Sequence, residues 1–135
     1  MNRLTWRDGG GSEEAAAYSR AVRIGSHVAV SGTAPTDDGV VLHLGDAYAQ
    51  TSTAIAKALA AAAELGARRD DVIRTRLLLA VGSDREAAVR AHREAFAGID
   101  PANTSYYVAG FIPDGVLVEV EVELDAIVPD LEPPR

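Results

Sequence analysis

The sequence contains no cysteine, which excludes disulfide bonds, thiolate nucleophiles and thiolate metal ligands. Its three histidines, His27, His43 and His92, do not have the close helical pairing of a zinc site. No serine has the glycine pattern of a nucleophile elbow, since Val30-Ser31-Gly32 lacks the flanking residues. We therefore expect no metal, and any chemistry should rely on hydroxyl, amide and carboxylate side chains.

Positive charge and long hydrophobic stretches are also scarce. The chain has 13 basic and 20 acidic residues, for a net charge of -7. This charge disfavours nucleic acids and anionic membranes, which bind to basic surfaces. No run reaches the roughly 18 apolar residues of a membrane span, and residues 1–8 lack the apolar core of a secretion signal. We expect a soluble protein of the cytoplasm that binds neither nucleic acid nor membrane.

The composition is otherwise that of a globular protein, with 47% hydrophobic and 24% charged residues. A length of 135 residues predicts a single domain spanning 1–135. Its first 17 residues form a polar, glycine-rich segment, and we expect residues 129–135 to be a frayed tail.

The first half of the chain predicts two strands and a long helix. Runs rich in β-forming residues, Ala21–Ile24 and His27–Thr33, are joined by Gly25-Ser26, a link that suits a hairpin. A stripe of small apolar residues predicts a helix over Asp46–Leu65, with Gly66 as its stop. The alanine-rich face of this helix indicates close packing on a sheet.

The second half predicts three strands and another helix. The apolar run Val72–Val81 is typical of a central strand covered on much of both faces. Two further strands, Thr104–Ala109 and Val116–Val128, are joined through a turn at Pro113-Asp114-Gly115.

The second helix lies between these strands. Ser83–Glu86 has the spacing of a capping box, and an apolar stripe continues to Phe96 before Gly98. His92 lies on this stripe, so we interpret it as a packing residue rather than a catalytic base.

The element order predicts an α/β (α+β) fold, a mixed sheet with both helices on one face. Nothing remains to cover the other face, so we expect a second copy of the chain to cover it in a homo-oligomer.

Acidic residues alternate with apolar ones along the last strand. Glu119, Glu121, Glu123 and Asp125 share one face. Mutual repulsion should raise the pKa of some of them, a condition that acid–base catalysis can use. The alternative is a solvated face balanced by two arginines of the strand Val72–Val81, Arg74 and Arg76.

Several motifs together resemble the RidA family, also called YjgF or reactive intermediate deaminases. The motifs are Tyr18–Gly25, Val30-Ser31-Gly32, Asp71–Arg76, Pro101–Thr104 and Val118–Glu121. The similarity spans roughly Tyr18–Val128. It implies a chorismate-mutase-like fold that assembles as a homotrimer with ligand pockets between subunits. It also implies hydrolysis, without a cofactor, of 2-imino or enamine acids to 2-keto acids and ammonia, although other members act on other small molecules or only bind ligands.

Tyr18 and Ser31 match the family's pocket tyrosine and serine, and Glu119 matches the glutamate thought to position the attacking water. Asn103 departs from the pattern, because the deaminases carry an arginine there that pairs with the substrate carboxylate. A neutral amide loses a charge-assisted pair. Either the substrate has no carboxylate at this place, which we favour, or Arg76 or Arg20 replaces the arginine.

These residues support two hypotheses. In the first, the chain is a hydrolase or related enzyme for a small imine or enamine: Tyr18 and Ser31 orient the substrate, Asn103 hydrogen-bonds its polar end and Glu119 activates water. In the second, it is a trimeric small-molecule-binding module without turnover. Some relatives are described as ribonucleases, but the net charge of -7 disfavours that activity here.

Overall fold

The computed structural model describes residues 2–126 as a six-stranded mixed sheet, a small hairpin and three α-helices. In chain order the elements are β1 (Arg3–Trp6), α1 (Gly11–Ala16), β2 (Ala21–Ile24), β3 (His27–Thr33), β4 (Thr36–Asp37), β5 (Val40–Val41), α2 (Ala47–Glu64), a 3₁₀ turn (Arg69–Asp71), β6 (Val72–Ala80), α3 (Arg85–Phe96), β7 (Ala102–Val108) and β8 (Val118–Asp125). The predicted hairpin of β2 and β3 is confirmed.

The strands of the large sheet have the order β1-β2-β3-β8-β6-β7. Neighbouring strands are antiparallel except β6 and β7, which are parallel. A parallel pair needs a crossover connection, and α3 supplies it. The predicted mixed sheet and the interior position of β6 are confirmed. Although β7 and β8 follow each other in the chain, they are not neighbours, because β8 lies between β3 and β6.

Helices α2 and α3 pack against each other on one face of the sheet, as predicted. The Asp46 side chain caps α2 by accepting a hydrogen bond from the Ala49 amide at 3.0 Å. The helix ends at Glu64, and Gly66 follows with a φ of +83°, which glycine adopts without strain. The buried face of α2 consists mainly of small side chains, which let the helix lie close to the sheet: Ala47, Gln50, Thr51, Ala54, Ile55, Ala58, Ala61 and Ala62.

The start of α3 differs from the prediction. Asp84, not Ser83, is the capping residue, and its side chain accepts a hydrogen bond from the Ala87 amide at 3.1 Å. The Ser83 hydroxyl instead donates to the Ala80 carbonyl at 2.7 Å and so belongs to the turn that follows β6. The capping box therefore begins one residue too early in the prediction, since aspartate and serine both suit this position.

The polar N-terminal segment contains a strand that the sequence did not indicate. Residues Arg3–Trp6 form β1 and pair with β2 at the edge of the sheet. Of these four residues only Trp6 packs against the core. Backbone pairing rather than apolar burial therefore defines β1, which explains why its hydrophobic pattern is too weak to predict it. The expected frayed tail at residues 129–135 lies outside the described residues, as does the predicted end of β8 at Val128.

Within residues 2–126 no helix is both long and apolar enough to cross a bilayer.

Candidate functional site

The face of the sheet opposite the helices, hereafter the open face, carries the acidic residues of β8. Along this strand the side chains alternate between buried positions under the helices and partly exposed positions on the open face. The open-face residues are Glu119, Glu121, Glu123 and Asp125, and those on the helix side are Val118, Val120, Val122 and Leu124. The predicted segregation of the carboxylates is confirmed. Arg76 of β6 pairs with Glu121 and Glu123, and the guanidinium of Arg20, just before β2, is near enough to influence Glu119.

Glu119 lies against the backbone of β3. A Cβ atom built on Gly32 would lie only 2.8 Å from Oε1 of Glu119, so any side chain at Gly32 would displace the carboxylate. The pairing of β3 with β8 is irregular between Val30 and Thr33. This irregularity contains Gly32 and changes the course of β3 beside the glutamate. Glycine at this position therefore provides the space that the carboxylate occupies.

The pKa of Glu119 is raised above the usual value for a glutamate, and burial of the carboxyl is the largest cause. Repulsion by Glu121 adds to the increase, whereas the positive charge of Arg20 opposes it. The sequence predicted a raised pKa from repulsion among the carboxylates. The direction is confirmed, but the cause is mainly the loss of hydration next to β3, which the sequence pattern does not reveal.

Arg20 connects the N-terminal segment to this site. Its Nη1 donates to the Gly32 carbonyl at 3.0 Å, and its guanidinium lies 5.5 Å from the centre of the Tyr18 ring. Its Nε is 4.0 Å from Oε2 of Glu13, a carboxylate that is only 3% exposed. Arg20 is therefore held beside Glu119 by backbone, aromatic and carboxylate contacts.

Two predicted pocket residues lie in the same region. The Ser31 hydroxyl donates to the Ser19 carbonyl at 2.6 Å, which ties β3 to the segment before β2. Tyr18 is half-buried beside Arg20. The structure thus brings Tyr18, Ser31 and Glu119 to one region through Arg20 and Gly32.

Arg76 is paired farther along the open face. Its Nη1 donates to Oε2 of Glu123 at 2.8 Å and to Oε1 of Glu121 at 3.5 Å. The hydrogen bond with Glu123 is the main reason that the pKa of Arg76 is raised. The predicted ion pair between Arg76 and the acidic strand is confirmed. Arg74 was expected to share this role, but its Nη1 donates to the Thr104 hydroxyl at 3.1 Å, because β7 lies on that side of β6.

Asn103 lies on a different face from Glu119 within one chain. It is paired with Thr75 of β6, whose side chain faces the helices and is fully buried. Residues opposite each other on adjacent strands share a face, so Asn103 is on the helix side of the edge strand β7. Glu119 is on the open face, opposite Leu78 of β6. A single chain therefore does not bring Asn103 together with Glu119.

Sequence reasoning missed Gln50 of α2. Its side chain is fully buried; Nε2 donates to the carbonyls of Leu42 at 3.1 Å and Gly115 at 2.9 Å, and Oε1 accepts from the Leu117 amide at 2.8 Å. Leu117 is two residues before Glu119, so Gln50 fixes the start of β8. One amide on the alanine-rich face of a helix was the signal that could have identified it.

A small cavity of about 160 Å³ lies on the helix side of Arg20. It is lined by Trp6, Asp8, Arg20, Thr33, Lys57, Ala60 and Ala61. Burial lowers the pKa of Lys57, whose amine donates to the carbonyl and hydroxyl of Thr36. Among the described residues, no group of three or more histidines and carboxylates could hold a metal ion.

The fold is that of a class of small α/β proteins that comparisons with known proteins also find. The family model described as Endoribonuclease L-PSP matches residues 12–128. The uncharacterized protein SCO2049 of Streptomyces coelicolor is 43% identical over 111 residues, which cover 82% of this chain and 83% of that protein.

Solved structures give the same result. Rv2704 of Mycobacterium tuberculosis, described as a member of the YjgF/YER057c/UK114 family, is 34% identical, with a TM-score of 0.83 over 93% of this chain and all of that one. YyfA of Yersinia pestis, from the conserved Rid protein family, shares the fold with a TM-score of 0.74 at 21% identity, over 93% of this chain and 100% of its own. The chain belongs to the L-PSP family, which is the YjgF/RidA family. Membership of this family supports a role that involves small molecules.

Proposed function

We propose that the protein hydrolyses a small imine or enamine without a cofactor, in a pocket completed by a neighbouring copy of the chain. The observation that carries this proposal is the position of Glu119, a half-buried carboxylate with a raised pKa, over the bare backbone of Gly32. A carboxylate with a raised pKa is a better base near neutral pH than an ordinary glutamate. Arg20 is near enough to influence the pKa of Glu119, and it contacts the Tyr18 ring and the carbonyl of Gly32, the residue after Ser31.

The proposed reaction consumes one water and releases one ammonia. The Glu119 carboxylate removes one proton from water as the water oxygen bonds to the imine carbon, and it passes that proton to the imine nitrogen, which gives a neutral carbinolamine. In the collapse, Glu119 takes the remaining hydroxyl proton as the C=O bond forms and delivers it to the amino nitrogen, which leaves as ammonia when the C–N bond breaks. A positioned base contributes typically about 10² to 10⁴ in rate. Tyr18 and Ser31 orient the substrate.

A homotrimer accounts for two features of the single chain. The open face carries half-buried carboxylates and Arg76 with no layer of the described residues over them, and Asn103 is separated from Glu119. A second copy docked on the open face would cover these charged residues, and its own edge strand β7 could then approach the Glu119 of its neighbour. Light scattering should give three times the 14.2 kDa mass of one chain. A stable monomer would remove the basis for a shared pocket.

The substrate test compares two imines made in the assay. An amino acid oxidase supplies 2-iminobutyrate, which carries a carboxylate, and a flavin amine oxidase supplies an imine that has none. Semicarbazide traps each imine, so hydrolysis lowers the rate of semicarbazone formation. We expect clear hydrolysis of the carboxylate-free imine and less activity on 2-iminobutyrate than an arginine-bearing RidA protein shows. Activity on neither imine would favour the non-catalytic binding module.

A further inference from the structure

A chain of hydrogen bonds fixes the orientation of the Asn103 amide. Nδ2 of Asn103 lies 3.0 Å from Oγ1 of Thr75 and 3.4 Å from the Thr75 backbone carbonyl oxygen. A carbonyl oxygen only accepts hydrogen bonds, so the amide nitrogen faces Thr75 and the amide oxygen faces away. The Ser105 hydroxyl donates to that oxygen, Oδ1, at 2.9 Å.

The chain continues to α3 through Thr75. Because Oγ1 of Thr75 accepts from Asn103, its own proton can be donated to Nε2 of His92, which is 2.7 Å away. If the Thr75 hydroxyl donates this hydrogen bond, Nε2 accepts it, and a neutral imidazole carries its proton on Nδ1. The ring packs on Phe96 at 4.9 Å, and burial lowers the pKa of His92. A neutral His92 thus fits both the hydrogen bond with Thr75 and the packing against Phe96.

The amide nitrogen of Asn103 therefore donates its hydrogen bonds within the protein. Both contacts of Nδ2 are with the buried Thr75. Oδ1 of Asn103 and the hydroxyl oxygen of Ser105 retain lone pairs for a ligand. Both residues are exposed on β7, at the edge of the sheet. The surface at this edge therefore offers acceptors where the arginine of the related deaminases offers donors.

We propose that Thr75 and Asn103 select a substrate whose polar end carries a hydrogen-bond donor, an amide, amidine, ammonium or hydroxyl group, and exclude one that ends in a carboxylate. The proposal rests on the proposed function, since it names the substrate class of that site. A carboxylate would meet acceptor oxygens at this edge, in a protein of net charge -7. A hydrogen-bond donor on the substrate would bind to the free lone pair of Oδ1 of Asn103.

Three inert ligands of one shape test this selection: benzamidine, benzamide and benzoate. Their affinities can be measured by calorimetry, with backbone NMR shifts of Asn103 and Ser105 as the evidence of location. We expect benzamidine to bind at least about tenfold more tightly than benzoate, since hydrogen bonds to charged groups are among the stronger ones. Benzamide should lie between them. Equal or tighter binding of benzoate would overturn the proposal.

Variants of the two residues separate orientation from mere contact. Thr75→Val removes the hydroxyl and should reduce the preference for benzamidine over benzoate, because the amide of Asn103 can then turn its nitrogen outward. Thr75→Ser keeps the hydroxyl and should keep the preference. If Thr75→Val does not fold, Asn103→Arg at the exposed edge decides the question, since it should reverse the order in favour of benzoate. An unchanged order in Asn103→Arg would contradict the proposal.

The protonation of His92 gives an independent readout. Long-range ¹H–¹⁵N correlation spectra should show a neutral ring protonated on Nδ1 in the wild type. A proton on Nε2 would overturn the assignment of Thr75 as the donor to His92. None of these ligands is turned over. If donor preference fails while imine hydrolysis still requires Glu119, only this inference is wrong. If donor preference holds while Glu119→Gln has no effect on turnover, only the proposed hydrolysis is wrong.

Discussion

The two faces of the six-stranded sheet differ in how completely the chain itself covers them. On the helix side, Val28, Val118, Val120 and Leu77 are at most 1% exposed beneath α2 and α3. On the open face the carboxylates of β8 and Arg76 remain at least partly exposed, and Arg76 pairs with Glu121 and Glu123. The alternation of β8 produces both faces from one strand.

The helix side of the sheet stabilises the fold, whereas the open face carries the candidate site. Burial of apolar side chains between helices and sheet stabilises the fold. The open face instead keeps a charged carboxyl, Glu119, in partial burial, which disfavours its ionised form. Such placement costs stability and is common at functional sites. Substitutions on the two faces should therefore have different signatures.

The largest effect is expected from Gln50, which belongs to the covered side. Gln50→Leu keeps the approximate volume but removes the hydrogen bonds to the loop at Leu42 and to the residues before β8, at Gly115 and Leu117. Each unsatisfied buried group costs about 1 to 3 kcal/mol, so unfolding by urea should show a loss of about 3 kcal/mol or more. A loss below about 1 kcal/mol would mean that water replaces these bonds.

A medium effect, on activity rather than stability, is expected at Gly32. Gly32→Ala places a Cβ where Oε1 of Glu119 lies, and the flexible carboxylate must move. A displacement of about 1 Å can cost about 10²-fold in rate, so imine hydrolysis should fall about 10- to 100-fold with little change in the unfolding free energy. Gly110→Ala is the matched control, since a Cβ there meets nothing within 4 Å. Equal rates in both variants would show that the position of Glu119 is unimportant.

The smallest effect concerns the pH dependence of stability. The pKa of Glu119 is raised in the folded protein above the unfolded value of about 4.5. Above that pH the ionised carboxyl therefore destabilises the fold, and the penalty grows until the pH passes the folded pKa. Glu119→Gln should be more stable than the wild type at pH 7 and equally stable at pH 4. A variant that is less stable at pH 7 would show that Arg20 outweighs burial.

Much of the fold could be predicted from local patterns. The hairpin of β2 and β3, the helix that stops before Gly66 and the alternation of β8 follow from turn residues and periodicity. Strand β1 could not be predicted in this way, because pairing with β2 rather than its own side chains defines it. The insertion of β8 between β3 and β6 is a property of the whole sheet, which no single segment encodes.

The motifs proposed residues for the candidate site but not its geometry. Tyr18 and Glu119 are linked through Arg20, and Ser31 precedes Gly32, which lies against Glu119, whereas Asn103 lies on the other face of the sheet. The role of Gly32 depends on the irregular pairing of two strands distant in sequence. The hydrogen bonds of Asn103 likewise depend on the register of β7 against β6. Contacts between distant strands decide both features.

The most direct test of the account is the comparison of Glu119→Gln with Glu123→Gln. Both residues lie on the open face of β8, but Glu123 pairs with Arg76, whereas Glu119 lies over Gly32. In parallel kinetics on the carboxylate-free imine, Glu119→Gln should lower kcat by about 10² to 10⁴, with circular dichroism and oligomeric mass unchanged. Glu123→Gln should keep a rate close to that of the wild type. Equal activity of both variants and the wild type would contradict a catalytic role for Glu119 and favour a protein that binds its ligand without turnover.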